Sequence, residues 1–141
     1  MANIVPRSFG VSLLSAQHDF ATSGHTFKLA LYTTNPYDAA STVFVSTGEV
    51  STVGTNYIAG GNALTSQAVA TGAGSGTGAL VSTVDFANTV WGAATTGAAT
   101  FGAAFGAIYN TNTVDGLANR LVVVLDFSGT KTATAGDFTV A

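Results

Sequence analysis

No cysteine occurs among the 141 residues, so disulfides, thiolate metal sites, iron–sulfur clusters and thiol nucleophiles are excluded. Charge is almost as scarce. Only 8% of residues are Asp, Glu, Lys or Arg, where a soluble domain usually carries about a quarter. Four cations against seven anions leave a net charge of −3, too few positive groups to neutralise a phosphate backbone, and nucleic-acid binding is not expected. The two prolines and 17 glycines follow no Gly-X-Y period, which rules out a collagen-like helix. Disorder needs low hydrophobicity and high net charge; 47% hydrophobic residues with so little charge is the opposite composition.

Long apolar runs are missing too. Phe86 to Val114 carries no charge and holds Gly102 and Gly106 in a GxxxG spacing. Yet Gly, Ala, Thr, Asn88, Asn110 and Asn112 dominate it, without a sustained run of large aliphatics, and a membrane helix is not expected. Pro6 and Arg7 interrupt any signal-peptide core at the N-terminus, so synthesis in the cytoplasm is the expectation.

What is abundant is Thr, Val, Ala, Ser and Gly. The β-branched residues favour pleated sheets, and Gly, Asn and Asp recur at turn-like intervals. Phe27 to Tyr32 alternates cleanly, with Phe27, Leu29 and Leu31 on one face and Lys28, Ala30 and Tyr32 on the other. Further strands are expected at Val43 to Ser46, Thr55 to Ala59, Gln67 to Thr71, Leu80 to Phe86, Phe105 to Asn110, Arg120 to Phe127 and Asp137 to Val140. Leu121, Val123, Leu125 and Phe127 share one face; Val122 and Val124 make the other apolar as well, which predicts a central strand. Val11 to Phe20 is the one predicted helix. The expected fold is all-β, a single β-sandwich or jelly-roll-like domain over residues 11–141, with a short N-terminal helix, preceded by an arm at residues 1–10. The expected core is Phe27, Leu29, Leu31, Phe86, Trp91, Ile108, Leu121, Val123, Leu125 and Phe138.

Motifs that carry chemistry are thin. His18 and His25 lack a His-x3-His or His-Glu-x-x-His spacing, so exposed or capping roles are expected and no metal or other cofactor. Gly72, Gly74, Gly76 and Gly78 could cradle phosphate only ahead of a helix; a strand follows, and a hairpin loop is expected. No Gly-x-Ser-x-Gly elbow is present. Asp85 and Asp126 each precede a Phe near a strand end and suit turn capping better than a paired-carboxylate site. Trp91, Tyr37, Tyr57 and Tyr109 fit a sugar-stacking platform or, more simply, a core.

The order of short motifs is more specific. His18-Asp19-Phe20, His25 to Thr33, Thr47 to Val50 and Tyr57 to Leu64 come first. Val84-Asp85-Phe86, Trp91, Ala107 to Asn110, Val124 to Phe127 and Gly136 to Val140 follow. From about Ser12 onward this series resembles a family of small virion proteins encoded in tailed-phage structural gene clusters. The family's Gly after Leu-Asp-Phe is Ser128 here, with Gly129 next, which implies a shifted turn. The resemblance implies a non-enzymatic capsid decoration, or cement, protein on the outside of the head. Its partner would be the major capsid protein, and copies of the chain would form a homotrimer. Ile4, Val5 and Phe9 have no place in the strand pattern and are the expected capsid contacts. The alternative is a glycan-binding module of a head or tail fibre, which needs exposed aromatics around a groove.

Overall fold

The computed structural model describes residues 2–73, 80–92 and 97–141. The chain is mostly β, and its described residues include one short helix, α1 (Arg7–Leu14). The strands are β1 (Phe27–Tyr32), β2 (Asn62–Ala63), β3 (Ala68–Ala73), β4 (Leu80–Asp85), β5 (Thr89–Trp91), β6 (Ala99–Asn110), β7 (Arg120–Gly136) and β8 (Phe138–Val140). A four-stranded antiparallel sheet runs β2-β1-β6-β7, and the pairs β3-β4 and β5-β8 stand apart from it.

β1 sits inside the large sheet because its residues are apolar on both faces. Phe27, Leu29 and Leu31 join a cluster with Phe20, Tyr57, Trp91, Phe101 and Phe138. Ala30 and Tyr32 join a second cluster with Tyr37, Tyr109, Leu121 and Val124. Of the expected core, Phe27, Leu29, Leu31, Trp91, Leu121 and Phe138 are buried, whereas Phe86, Ile108, Val123 and Leu125 are only partly so.

β7 departs from its expected place. It lies at the end of the sheet order, not in the middle. Its outer edge is covered by irregular chain instead: Ile4 exchanges two backbone hydrogen bonds with Val124, and the Leu121 N–H donates to the Thr42 carbonyl. Both faces are apolar because each packs against its own cluster of side chains, which period-two reading cannot separate from a central strand. A register shift also breaks the alternation. Ile108 faces Val123 but Tyr109 faces Leu121, so Val122 is an extra residue in a β-bulge. Leu121 consequently shares a cluster with Val124, while Val122, Val123 and Leu125 pack against the other. A second shift leaves Phe127 to Thr130 unpaired between the registers Phe105–Asp126 and Ala103–Lys131, with Ser128 and Gly129 both at positive φ.

Two expected strands do not form. Val43 makes a lone bridge to Arg120, and the Val45 N–H donates to the Tyr37 hydroxyl in place of a ladder partner. Asn56, at φ 58°, turns the backbone left-handed within 55–59 and breaks an extended run. The GxxxG glycines lie in β6, where the open space above Gly106 admits Leu29 and Phe127. No described helix is long and apolar enough to cross a membrane.

Candidate functional site

Helix α1 starts and stops earlier than its expected range of Val11 to Phe20, so the expected boundary after residue 10 falls inside it. Pro6 precedes the first helical residue, with no N–H to leave unpaired, and the Arg7 N–H donates to the Ala39 carbonyl. The end is a Schellman turn: the Ala16 N–H bonds the Leu13 carbonyl, the Gln17 N–H bonds the Ser12 carbonyl, and Ala16 takes φ 55°. Residues 15–20 cannot continue the helix past that left-handed residue.

The polarity of α1 is inverted. Its buried residue is Ser12, while Val11 is 64% and Leu14 91% exposed. At 100° per residue, Ser8 and Ser12 face the body, Phe9 and Leu13 point to one side, and Val11 and Leu14 point outward. Small serines let the helix axis approach closely and bond polar groups beneath it. Val11 and Leu14 are thus large aliphatics turned to water in the isolated chain.

Beside α1 lies an apolar groove of about 490 Å³. Phe9 and Leu13 form one wall and Val69 and Val84 of the β3-β4 ribbon the other, over a floor that includes Phe20 and Ile108. No lining residue is ionisable. A second, more polar depression of about 520 Å³ lies along β7 and β8, with Asn3, Lys131 and Asp137 at its margin.

Beneath α1, Ser12, His18, His25 and Asn110 form a connected polar cluster. The Asn112 N–H donates to Asn110 Oδ1, so the Asn110 amide nitrogen points at the histidines. It donates to Nδ1 of His18 at 3.0 Å and to Nδ1 of His25 at 2.9 Å. His18 therefore carries its proton on Nε2 and donates it to Ser12 Oγ at 3.0 Å, and Ser12 in turn donates to the Ser8 carbonyl at 2.8 Å. This is the reverse of an activated serine, since the ring offers Ser12 an N–H where a general base would offer a lone pair. Burial, with smaller electrostatic contributions from His25 and Arg120, lowers the His18 pKa to about 4. The exposed or capping role expected for His18 is corrected: it is a buried histidine whose two ring nitrogens both have partners.

The aromatic residues are core. The one Trp, four Tyr and nine Phe are all buried or half-buried, so no stacking platform forms. The tyrosine hydroxyls tie irregular chain to the sheet. Tyr57 donates to Glu49 and accepts the Leu31 N–H; Tyr32 and Tyr37 meet at 2.6 Å over the Val45 carbonyl; Tyr109 donates to the Gly60 carbonyl at 2.7 Å. Burial raises all four tyrosine pKa values, that of Tyr109 to about 12.

Of the three expected contact residues, Val5 is 59% exposed at the groove. Ile4 is held in its bridge to Val124, and Phe9 packs on the core. Asp85 and Asp126 lie in separate sheets, and each accepts a backbone N–H just beyond it, from Phe86 and Ser128, as turn caps do. Among the described residues no group of three His, Asp or Glu side chains is placed to hold a metal. Gly74, Gly76 and Gly78, expected as a hairpin loop, lie outside the described residues. Sequence reasoning missed Val11, Leu13 and Leu14 as the exposed aliphatics of a helix. The available signal was helical spacing that puts Ser8 and Ser12 on the inner face, legible only with the helix placed at residue 7. Comparison with protein-family models, with curated proteins and with solved structures finds no match to this chain.

Proposed function

We propose that this chain is a structural protein of a tailed-phage virion, a decoration protein that binds the major capsid protein on the outside of the head and stabilises the shell. In this reading it is a single β-sandwich domain, made in the host cytoplasm and assembled into trimers on the capsid, and it performs no catalysis. The observation that carries the reading is the inverted helix, with Val11 and Leu14 turned outward beside exposed Val5. Ile4 and Phe9 anchor that segment to the body from beneath. The motif series from His18 to Val140 supports the virion assignment. A shell of many identical sites lets several weak apolar contacts act together, and binding only to the assembled form stabilises it by mass action. A glycan-binding module would need exposed rings, and every aromatic side chain here is at least half-buried.

The test is binding to undecorated heads, scored as copies per particle. Wild-type chain is expected to saturate at a number matching the lattice of capsid sites, and Leu14→Lys to lose most of that occupancy while remaining folded. Saturation at a few copies confined to the tail, or unchanged binding by Leu14→Lys together with Val11→Lys, overturns the reading.

A further inference from the structure

We propose that residues 8–18, which hold most of α1, form an acid-released strap: a proton arriving on His18 breaks its contact with Asn110 and frees the segment while the sheet beneath stays paired. This holds whatever the chain binds.

The strap has firm ends and one buried polar attachment. Before it, Ile4 is bonded to Val124 and the Arg7 N–H to the Ala39 carbonyl. After it, Phe20 stacks on Phe27 at 4.5 Å and the His25 N–H bonds the Asp19 carbonyl. Among the described residues, two hydrogen bonds join the strap to the chain beyond Phe20. Ser8 Oγ donates to the Ser41 carbonyl, long at 3.4 Å, and Asn110 Nδ2 donates to His18 Nδ1 at 3.0 Å. His18 also holds the parts of the strap together. Its ring lies 5.0 Å from Phe9 and 6.0 Å from Phe20, and its Nε2–H reaches Ser12 of α1.

This attachment tolerates only a neutral ring. Asn110 cannot turn its side-chain oxygen to His18, because Oδ1 accepts the Asn112 N–H and the amide nitrogen is shared with His25 Nδ1. A proton on His18 Nδ1 therefore meets an N–H with no lone pair to receive it. The charged neighbours act in the same direction. His25, once it carries a proton, and Arg120, which pairs with Asn110 across β6 and β7, both repel an imidazolium. The nearby carboxylates are engaged elsewhere, Asp115 with Arg120 at 3.6 Å and Asp19 with the Ala21 N–H. Arg7, at the start of α1, acts on Asp38.

With the strap closed, burial above all holds the His18 pKa at about 4; with it open, the ring is in water and titrates near its ordinary 6.5. The open state binds the extra proton, so opening is favoured as pH falls from about 6.5 toward about 4. Opening uncovers Phe20, which is 9% exposed in the closed form.

The experiment is hydrogen exchange of the full chain at about pH 7.5 and about pH 5, corrected for the intrinsic rate at each pH. Amides of residues 8–18 are expected to exchange through an opening that leaves those of Phe27–Tyr32 protected, with an opening constant about tenfold or more higher at the lower pH. His18→Gln, which keeps an acceptor for the Asn110 amide and takes up no proton, should lose most of that pH dependence. Asn110→Asp, which gives an imidazolium a carboxylate to bond, should reverse its sign. Strap amides that exchange only together with those of β1, a wild-type opening constant that ignores pH, or the full pH dependence retained in His18→Gln would each overturn the proposal. The first two outcomes are read on the wild type and need no variant to fold.

Discussion

The side-chain amide of Asn110 lies 3.0 Å from Nδ1 of His18, 92 positions away in sequence, and this contact sets which ring nitrogen of the neutral imidazole carries the proton. A protonated His18 would turn an N–H toward the Asn110 amide hydrogens. The folded chain therefore resists protonation, with the His18 pKa lowered to about 4 from 6.5, burial being the main cause. The unfolded chain takes up a proton as pH falls below about 6.5 and the folded chain only near pH 4. Stability is thus complete above the unfolded value and falls through that window, by on the order of 2–3 kcal/mol. Urea midpoints at about pH 7.5 and pH 4.5 should show the loss, and His18→Phe should reduce it. Equal midpoints in the wild type would contradict the assignment.

Tyr57 joins β1 to the chain beyond it through one oxygen, accepting the Leu31 N–H at 2.9 Å and donating to Glu49 Oε1 at 2.8 Å. Tyr57→Phe leaves a buried N–H without an acceptor and should cost about 1–3 kcal/mol, more than the ring's unchanged packing would suggest. Glu49→Gln, which keeps an acceptor for the Gly60 N–H, should cost less. Denaturant unfolding of the two variants measures the difference.

Ala16 and Gly61 make opposite predictions about the left-handed backbone. Ala16 ends α1 at φ 55°, where glycine is the unstrained residue, so Ala16→Gly should raise stability by about 0.5–1 kcal/mol. At Gly61, φ is +73° and a Cβ would lie 1.9 Å from the Leu29 carbonyl oxygen, so Gly61→Ala should cost about 3 kcal/mol or more. Thermal melts of both variants would settle the signs.

Leu29 and Leu125 test where the sheet is tightest. Leu29 is 2% exposed on β1, and Leu29→Ala should cost about 2–5 kcal/mol. Leu125 is only partly buried on the terminal strand, and Leu125→Ala should cost about 1–2 kcal/mol. A greater loss at Leu125 would restore β7 to the centre of the sheet.

The sequence alone determined the β-rich class and the position and both faces of β1. These are local patterns, since alternation over six residues records which side of a strand meets water. The scarcity of charge was equally legible, because composition needs no fold. Tertiary structure decided the rest. The bulge at Val122 moved Leu121 to the opposite face from Val123, and a one-residue insertion leaves no trace in an apolar run. The edge of β7 is covered by Ile4 and Thr42 through backbone hydrogen bonds, which carry no side-chain signature. The strands expected at residues 43 and 55 gave way to tyrosine hydroxyls and a left-handed Asn56. The exposed aliphatic face of α1 became visible only when Ser12 was found bonded to His18 inside the molecule. A helix's buried side is chosen by the partners its polar groups find across the fold, and those partners are distant in sequence.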